Sequence, residues 1–387
     1  MVPDEENACP FVLVALLAFG CTGTNAPPCS NTLSPGVISL NHDAVYVANT
    51  ASSSISAFSL GGNGEGFAPV CGSAFQMPGP PTGLGGGDSA PSSAINDLIV
   101  LSSPQKAVWL FKLDFIFGNL TGPVASVTSN YTPVAVAVWQ NYFYVANAEG
   151  NLSAYQLSSD GTTVTELQGS PFPTGSGPVA VAASEPGLLY VANSQSNNIA
   201  GYTLDPSTGV PTPIPGSPFP AGSGPSSIEV APPVYPSGFG PTLVIVSNMS
   251  SNDVSVYAVG GAGGLTPVPG SPFAAGAAPS SSATGNYLPL KYVYVANSQS
   301  NDISGYSIDD TTGTLTALAG SPSPTGVLPL PVAVSSGGMF LYVANDGSNT
   351  LSAYSIDHST GALTPVSGSP FAVGQSPTAV WFFQVPQ

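Results

Sequence analysis

Apolar and polar residues alternate along this chain in short runs of strand length. Around Asn193 the runs are "PVAVAAS", "LLYVANS", "NIAGYTL" and "VPTPIPG". Each is β-branched or aromatic in character and is bounded by Gly, Pro, Asn or Ser, which predicts four short strands. The third turn of such a unit reads "DPSTG" at 205–209, "DDTTG" at 309–313 and "DHSTG" at 357–361. Its leading Asp suits a bond to its own turn backbone, and its closing Gly suits positive φ. Beyond the N-terminal segment, no stretch sustains the 3.6-residue period of an amphipathic helix.

The unit repeats. "YVAN" stands at 46–49, 144–147, 190–193, 294–297 and 342–345, and a degenerate copy, "VIVSN", ends at Asn248. Steps between successive Asn residues are 98 (twice 49), 46, 55, 49 and 48. Near the middle of the double step, "DLIVLSSPQKAVWLF" from Asp97 fits the pattern without the Asn. An aromatic follows each Asn by eight or nine residues: Phe58, Tyr155, Tyr202, Tyr257, Tyr306 and Tyr354. "GSPF" comes later, at 169, 216, 270 and 368, with "GSAF" at 72 and "GSPS" at 320. Landmarks in constant order at a period near 49 residues define seven units. Seven units of four strands predict an all-β fold, a seven-bladed β-propeller. After the last "GSPF", the strand "PTAVWFFQV" at 377–385 has no unit of its own. It is placed to complete the first blade and close the ring, although "GVISL" at 36–40 could fill the same position.

Composition agrees with strands and turns. Of 387 residues, 42% are apolar, and Gly and Pro number 45 and 41. Charge narrows the partners. The formal charge is −17, with no Arg and three Lys, Lys106, Lys112 and Lys291. Nucleic acid is excluded for want of a basic face, and anionic lipid headgroups are repelled.

The run "FVLVALLAFG" at 11–20 is too short to span a bilayer and fits a signal-peptide core. Followed by Cys21, it resembles the lipobox of bacterial lipoproteins. The expected organisation is a leader at 1–20, a linker at 21–35 and the propeller at 36–387, outside the cytoplasm. It would be secreted or anchored through lipid on Cys21. In an oxidising compartment Cys29 and Cys71 would form a disulfide, the alternative being two unrelated buried thiols.

"LYVAN", "S-x-S-N-x-I", "TG-x-LTP" and "GSPF" in this order resemble the lactonase-type seven-bladed propellers, also called YVTN-repeat propellers, over residues 36–387. The resemblance implies either a lactone hydrolase, exemplified by 6-phosphogluconolactonase, or a cell-surface or surface-layer protein.

Candidate chemistry is sparse. His42 and His358 both fall in predicted turns. No nucleophile elbow, metal-ligand spacing or Ca²⁺ loop is present, and no cofactor or metal is expected. Three scattered Lys do not make a phosphate site, which disfavours a phosphorylated substrate. Asn49, Asn147, Asn193, Asn248, Asn297 and Asn345, with Asp253, Asp302 and Asp346, would stand around one face of the ring. They form either a polar rim for a glycan or cation, or a set of side chains bonding their own turns.

Departures from symmetry say more about function. Glu229 is the only acid in a predicted inner strand, where other units have Ala137, Ala182 and Ser335. It is the candidate catalytic base or cation ligand. "GPPTGLGGGDSAPSS" at 79–93 reads as a long loop between blades. The insertion at 230–241 carries Tyr235 and Phe239, which are placed to meet ligands. The sequence therefore leads to a monomeric binding or surface scaffold without catalysis. Its partner would be a glycan, a small molecule or a surface protein, and it would touch membrane only through a lipid anchor. The alternative is a lactone hydrolase, acting on a neutral rather than a phosphorylated lactone.

Overall fold

The computed structural model describes residues 43–60, 67–70, 72–86, 97–114, 118–233, 240–287, 290–335 and 337–383. The leader, the linker, "GVISL", His42, Cys21, Cys29, Cys71, Tyr235 and Phe239 lie outside the described residues.

Seven antiparallel sheets form the ring, six built from consecutive strands and the first completed by the C-terminal strand. The inner strands are Pro377–Phe383 in blade one, Gly83–Gly86 in blade two and Pro133–Trp139 in blade three. Pro178–Ser184, Pro225–Ala231, Pro279–Tyr287 and Pro329–Val334 serve blades four to seven. Six of these begin with Pro. An inner strand is paired on one side only, so a missing N–H at its first residue breaks no ladder bond. Closure is by the C-terminal strand, which pairs antiparallel with Asp43–Asn49 in a register that sets Val47 against Val380 and Tyr46 against Trp381.

The repeated residues hold neighbouring blades together. The Tyr of "YVAN" reaches forward: Tyr144 donates to the Gly209 carbonyl at 2.7 Å and Tyr294 to that of Gly361 at 2.8 Å. The third-strand Tyr reaches back: Tyr257 donates to Pro220 O at 2.7 Å and Tyr306 to Ala274 O at 2.6 Å. A second Asn in the turn after "YVAN" adopts positive φ, as at Asn252 (56°) and Asn301 (57°). Its Oδ1 accepts the N–H of the next blade's entry residue, Ala278 or Leu328, at 2.8 Å in both cases. Asn tolerates this backbone region better than other non-glycine residues. The Ser of "GSPF" accepts a third-strand N–H inside its own blade, Ser271 from Val256 at 2.9 Å and Ser321 from Gly305 at 2.8 Å.

The core is divided among the blade junctions. Between blades six and seven, Tyr294, Ile303, Val332, Leu341, Val343 and Tyr354 pack as one buried cluster. Each fully buried aliphatic side chain there is worth about 1.5–3 kcal/mol.

Two sequence expectations need correction. The Gly-rich stretch is not simply a loop, because Gly83–Gly86 forms the inner strand of blade two. Neighbouring side chains occupy the space a Cβ would need. One on Gly85 would lie 2.6 Å from Val136 Cγ1, and one on Gly86 would lie 2.4 Å from the Trp381 ring. The position in blade seven that matches Glu229 is Ala333, not Ser335. A register shift in that strand sets Ala333 against Tyr342, as Glu229 is set against Ile245.

Candidate functional site: the central channel

The first residues of the inner strands and the turns beside them enclose a cavity of about 650 Å³ on the ring axis. Topology places its mouth on the face carrying the entry loops and the turns after "YVAN", since Pro225, Met249 and Ser250 all line it. Hydroxyl side chains bridge adjacent blades around this mouth. Thr50 donates to Pro81 O at 2.6 Å, Ser103 to Pro133 O at 2.6 Å, Ser226 to Pro279 O at 2.7 Å and Ser280 to Pro329 O at 2.9 Å. These hydroxyls close the wall where no ladder runs from blade to blade. The remaining lining is apolar or small, and no charged, amide or aromatic side chain contributes to it among the described residues.

Glu229 lies on the fifth residue of its inner strand, two residues beyond the cavity-lining Ser227. Two residues of strand rise roughly 6.6 Å. Its Oε1 accepts the backbone N–H of Thr284, from the inner strand of blade six, at 2.8 Å. The Thr284 hydroxyl donates to the same oxygen. That N–H is one that an inner edge leaves unpaired, so the carboxylate sits against the channel edge of the next blade. Oε2 is buried and has no hydrogen-bond partner among the described residues. Burial pushes the Glu229 carboxyl up to about 7, against the opposing pull of the Thr284 hydrogen bonds and the Lys291 charge. Lys291 is itself buried, which lowers its pKa, while Asp310 and Glu229 act the other way. Its ammonium donates to Pro232 O. Sequence reading found Glu229 but not this grouping, because Thr284 and Lys291 belong to another blade.

The other candidates are placed as follows. All six "YVAN"-position asparagines are fully buried. Asn248 and Asn297 donate to Asp253 and Asp302 at 2.7 Å and to Ser255 and Ser304 at 2.9 Å. Asn49, Asn147 and Asn345 donate to Ser56, Ser153 and Ser352 at 3.0, 2.9 and 2.9 Å. Asn193 donates to Asn198 Oδ1 at 2.9 Å. Asp346 accepts from Ser376 at 2.6 Å. These side chains tie strand to strand, and none lines the cavity. For all of these asparagines but Asn147, a glycine two residues after an outer segment explains the burial. A Cβ on Gly222, Gly276 or Gly326 would lie 2.5 Å from Asn248, Asn297 or Asn345, so each Asn is roofed by bare backbone. Lys112 pairs with Asp97 at 3.0 Å and Lys106 donates to Asn130 O at 3.0 Å, both away from the cavity. His358 lies in the turn that opens with Asp357, which topology puts on the face opposite the mouth. No group of three or more His, Cys, Asp or Glu among the described residues is placed to hold a metal ion.

A family model described as "Lactonase, 7-bladed beta-propeller" matches residues 288–382. The chain is similar to the lactonase-type seven-bladed propellers. Solved structures agree on the fold. A proposed 6-phosphogluconolactonase from Bacteroides uniformis superimposes with TM-score 0.70 at 19% identity, covering 88% of this chain and 99% of that one. Another, from Bacteroides fragilis, gives 0.70 at 18%, covering 90% and 99%. The periplasmic gluconolactonase of Pseudomonas aeruginosa gives 0.66 at 20%, covering 89% and 100%. No curated protein matches the chain. These findings overturn the sequence expectation of a scaffold without catalysis and favour a lactonase-like protein. The expectation failed because the repeat records how blades join, and its regularity carries no sign of catalysis.

Proposed function

We propose that this protein hydrolyses a neutral lactone in its central channel, with Glu229 as general base. The observation that carries the reading is a carboxylate on an inner strand, one oxygen held by Thr284 and the other buried without a partner among the described residues, with its pKa raised to about 7. A base poised near the working pH combines correct protonation with driving force. The lactonase family match and the activities named for the similar structures support hydrolysis of a lactone. The absence of Lys, Arg and His from the described lining supports a neutral ring over a phosphorylated one.

In this reading a water beside the carboxylate gives its proton to Glu229 while its oxygen attacks the lactone carbonyl carbon. Unpaired N–H groups on the inner edges are the available donors for the developing oxyanion. Collapse breaks the ring C–O bond. The departing alkoxide takes the proton back from Glu229, and the product is the open hydroxy acid.

The test is turnover of neutral lactones by wild type and Glu229→Gln, with circular dichroism to confirm folding. Wild-type hydrolysis that falls by about 10²-fold or more in the variant supports the assignment. Full activity in the variant removes Glu229 from the role, and no turnover by wild type removes the hydrolase reading.

A further inference from the structure

Three large apolar side chains break the sevenfold pattern on the face where the cavity opens. Met249 lines the cavity and is 40% exposed, while Val327 and Leu328, which lead into the inner strand of blade seven, are 55% and 36% exposed. At the position of Met249 the other "YVAN" turns have Thr50, Ala148, Ser194, Ser298 and Asp346. At the position of Leu328, just before the first Pro of the inner strand, they have Thr132, Gly177, Gly224, Ala278 and Ser376. A residue shared by every blade serves the ring, and one that departs from the rest calls for another explanation.

Leu328 adds a second observation. It is held at φ 54°, in the conformation that the equivalent Gly177 (65°), Gly224 (63°), Ala278 (55°) and Ser376 (55°) share, all of them small. The conformation serves the ring, but a bulky side chain in it is uncommon. Glycine would fit without strain, so an exposed leucine here carries a local cost that its own packing does not explain.

Below the mouth aliphatic side chains stand among hydroxyls, several of which are bonded to the wall itself. Ser226 and Ser280 are committed to the carbonyls of the next blade, Thr378 to Thr50 at 2.6 Å, Thr82 to Ser103 at 2.9 Å and Ser194 to Gly177 O at 2.9 Å. Between them stand Leu84, Val134, Val179, Leu330, Val332 and Val380. Hydroxyls of a polyhydroxylated ring that fell against these aliphatic side chains would lose their water partners, which is unfavourable. An aliphatic chain is suited to the same wall.

Resting on the hydrolase reading above, we infer that the substrate is a lactone bearing an aliphatic substituent rather than a sugar lactone. The chain lies against the apolar cavity wall and Met249, with Val327 and Leu328 on the same face two blades on, and the ester carbonyl is directed down toward Glu229.

The experiment is a kcat/KM series on δ-valerolactone and its 5-alkyl homologues, beside glucono-δ-lactone. The expected result is a rise of about fourfold per methylene over the first few carbons, with glucono-δ-lactone the poorest substrate. Met249→Ser and Leu328→Gly should flatten the series. Leu328→Gly should do so with an unchanged or higher melting temperature, because that backbone suits glycine. A flat series in wild type, with good turnover of glucono-δ-lactone, overturns the inference and leaves the hydrolase reading standing. If no lactone is turned over, the hydrolase reading fails. Calorimetric titration with the matching alkyl lactams then decides: affinity that climbs with chain length retains the aliphatic site, and absence of binding overturns it.

Discussion

The phenol of Tyr190, in the second strand of blade four, donates to the carbonyl of Gly263, in the outer turn of blade five, at 2.7 Å. Both groups are buried, and the same bond recurs from Tyr46 to Gly118 at 2.8 Å. Burial also drives the Tyr190 pKa well above its ordinary value, so the phenol remains a donor throughout the useful pH range. Replacing Tyr190 with Phe retains the ring and removes the donor, which leaves the Gly263 carbonyl unpaired. The expected loss is about 1–3 kcal/mol, read as a lower urea midpoint with unchanged slope.

Glu229 makes stability depend on pH in a stated direction. Its carboxyl is raised from 4.5 to about 7 in the folded chain. The stabilisation from its proton is therefore complete below the unfolded value and is lost as pH rises through about 7. The shift corresponds to about 3 kcal/mol at most. Glu229→Gln cannot ionise and keeps an oxygen for Thr284. Its stability relative to wild type should accordingly increase between pH 4 and pH 8 in paired denaturant titrations. A difference that stays constant with pH would show that the carboxyl is not perturbed.

The kinetic counterpart has the opposite dependence. A general base must be ionised, so kcat/KM should climb through the same region and level off above it, after subtraction of spontaneous hydrolysis. Wild type that is fastest at pH 5 would remove Glu229 from the base role.

Gly276 tests the roof over the asparagines. A Cβ there would lie 2.5 Å from Asn297 Nδ2 and 2.7 Å from Ser300 Oγ, whereas one on Gly261 meets nothing within 4 Å. Gly276→Ala should cost about 1–3 kcal/mol, and Gly261→Ala should stay within about 0.5 kcal/mol. Thermal melts of the two variants side by side are sufficient to compare them.

Much of the ring can be read from the sequence. "PVAVAAS" and "NIAGYTL" are strands over the residues read for them, 178–184 and 198–204. The leading Asp of the third turn caps its own backbone, as where Asp205 accepts the N–H of Ser207 and Thr208 at 2.9 Å. These features are local or repeat seven times, so pattern alone carries them. The Gly83–Gly86 strand was hidden because its reason lies in Val136 and Trp381, side chains of other blades. The site was less legible still. Glu229 stood out as a lone acid, but the contact with Thr284 crosses 55 residues of chain and occurs in one blade only. Met249 and Leu328 look unremarkable until their position on the ring is known. Periodicity reports what every blade needs, and chemistry depends on what a single blade does differently.

Thr50 and Thr378 meet at 2.6 Å although 328 residues separate them. Ribosomes add roughly 5–20 residues per second, so the first blade waits some tens of seconds for its innermost strand. During that interval its open side is a template for any passing strand, including the near-copies that follow it on the same nascent polypeptide. The last strand of the ring to be translated is thus the one that removes this hazard, and translation halted before it would leave the ring with its seam undone.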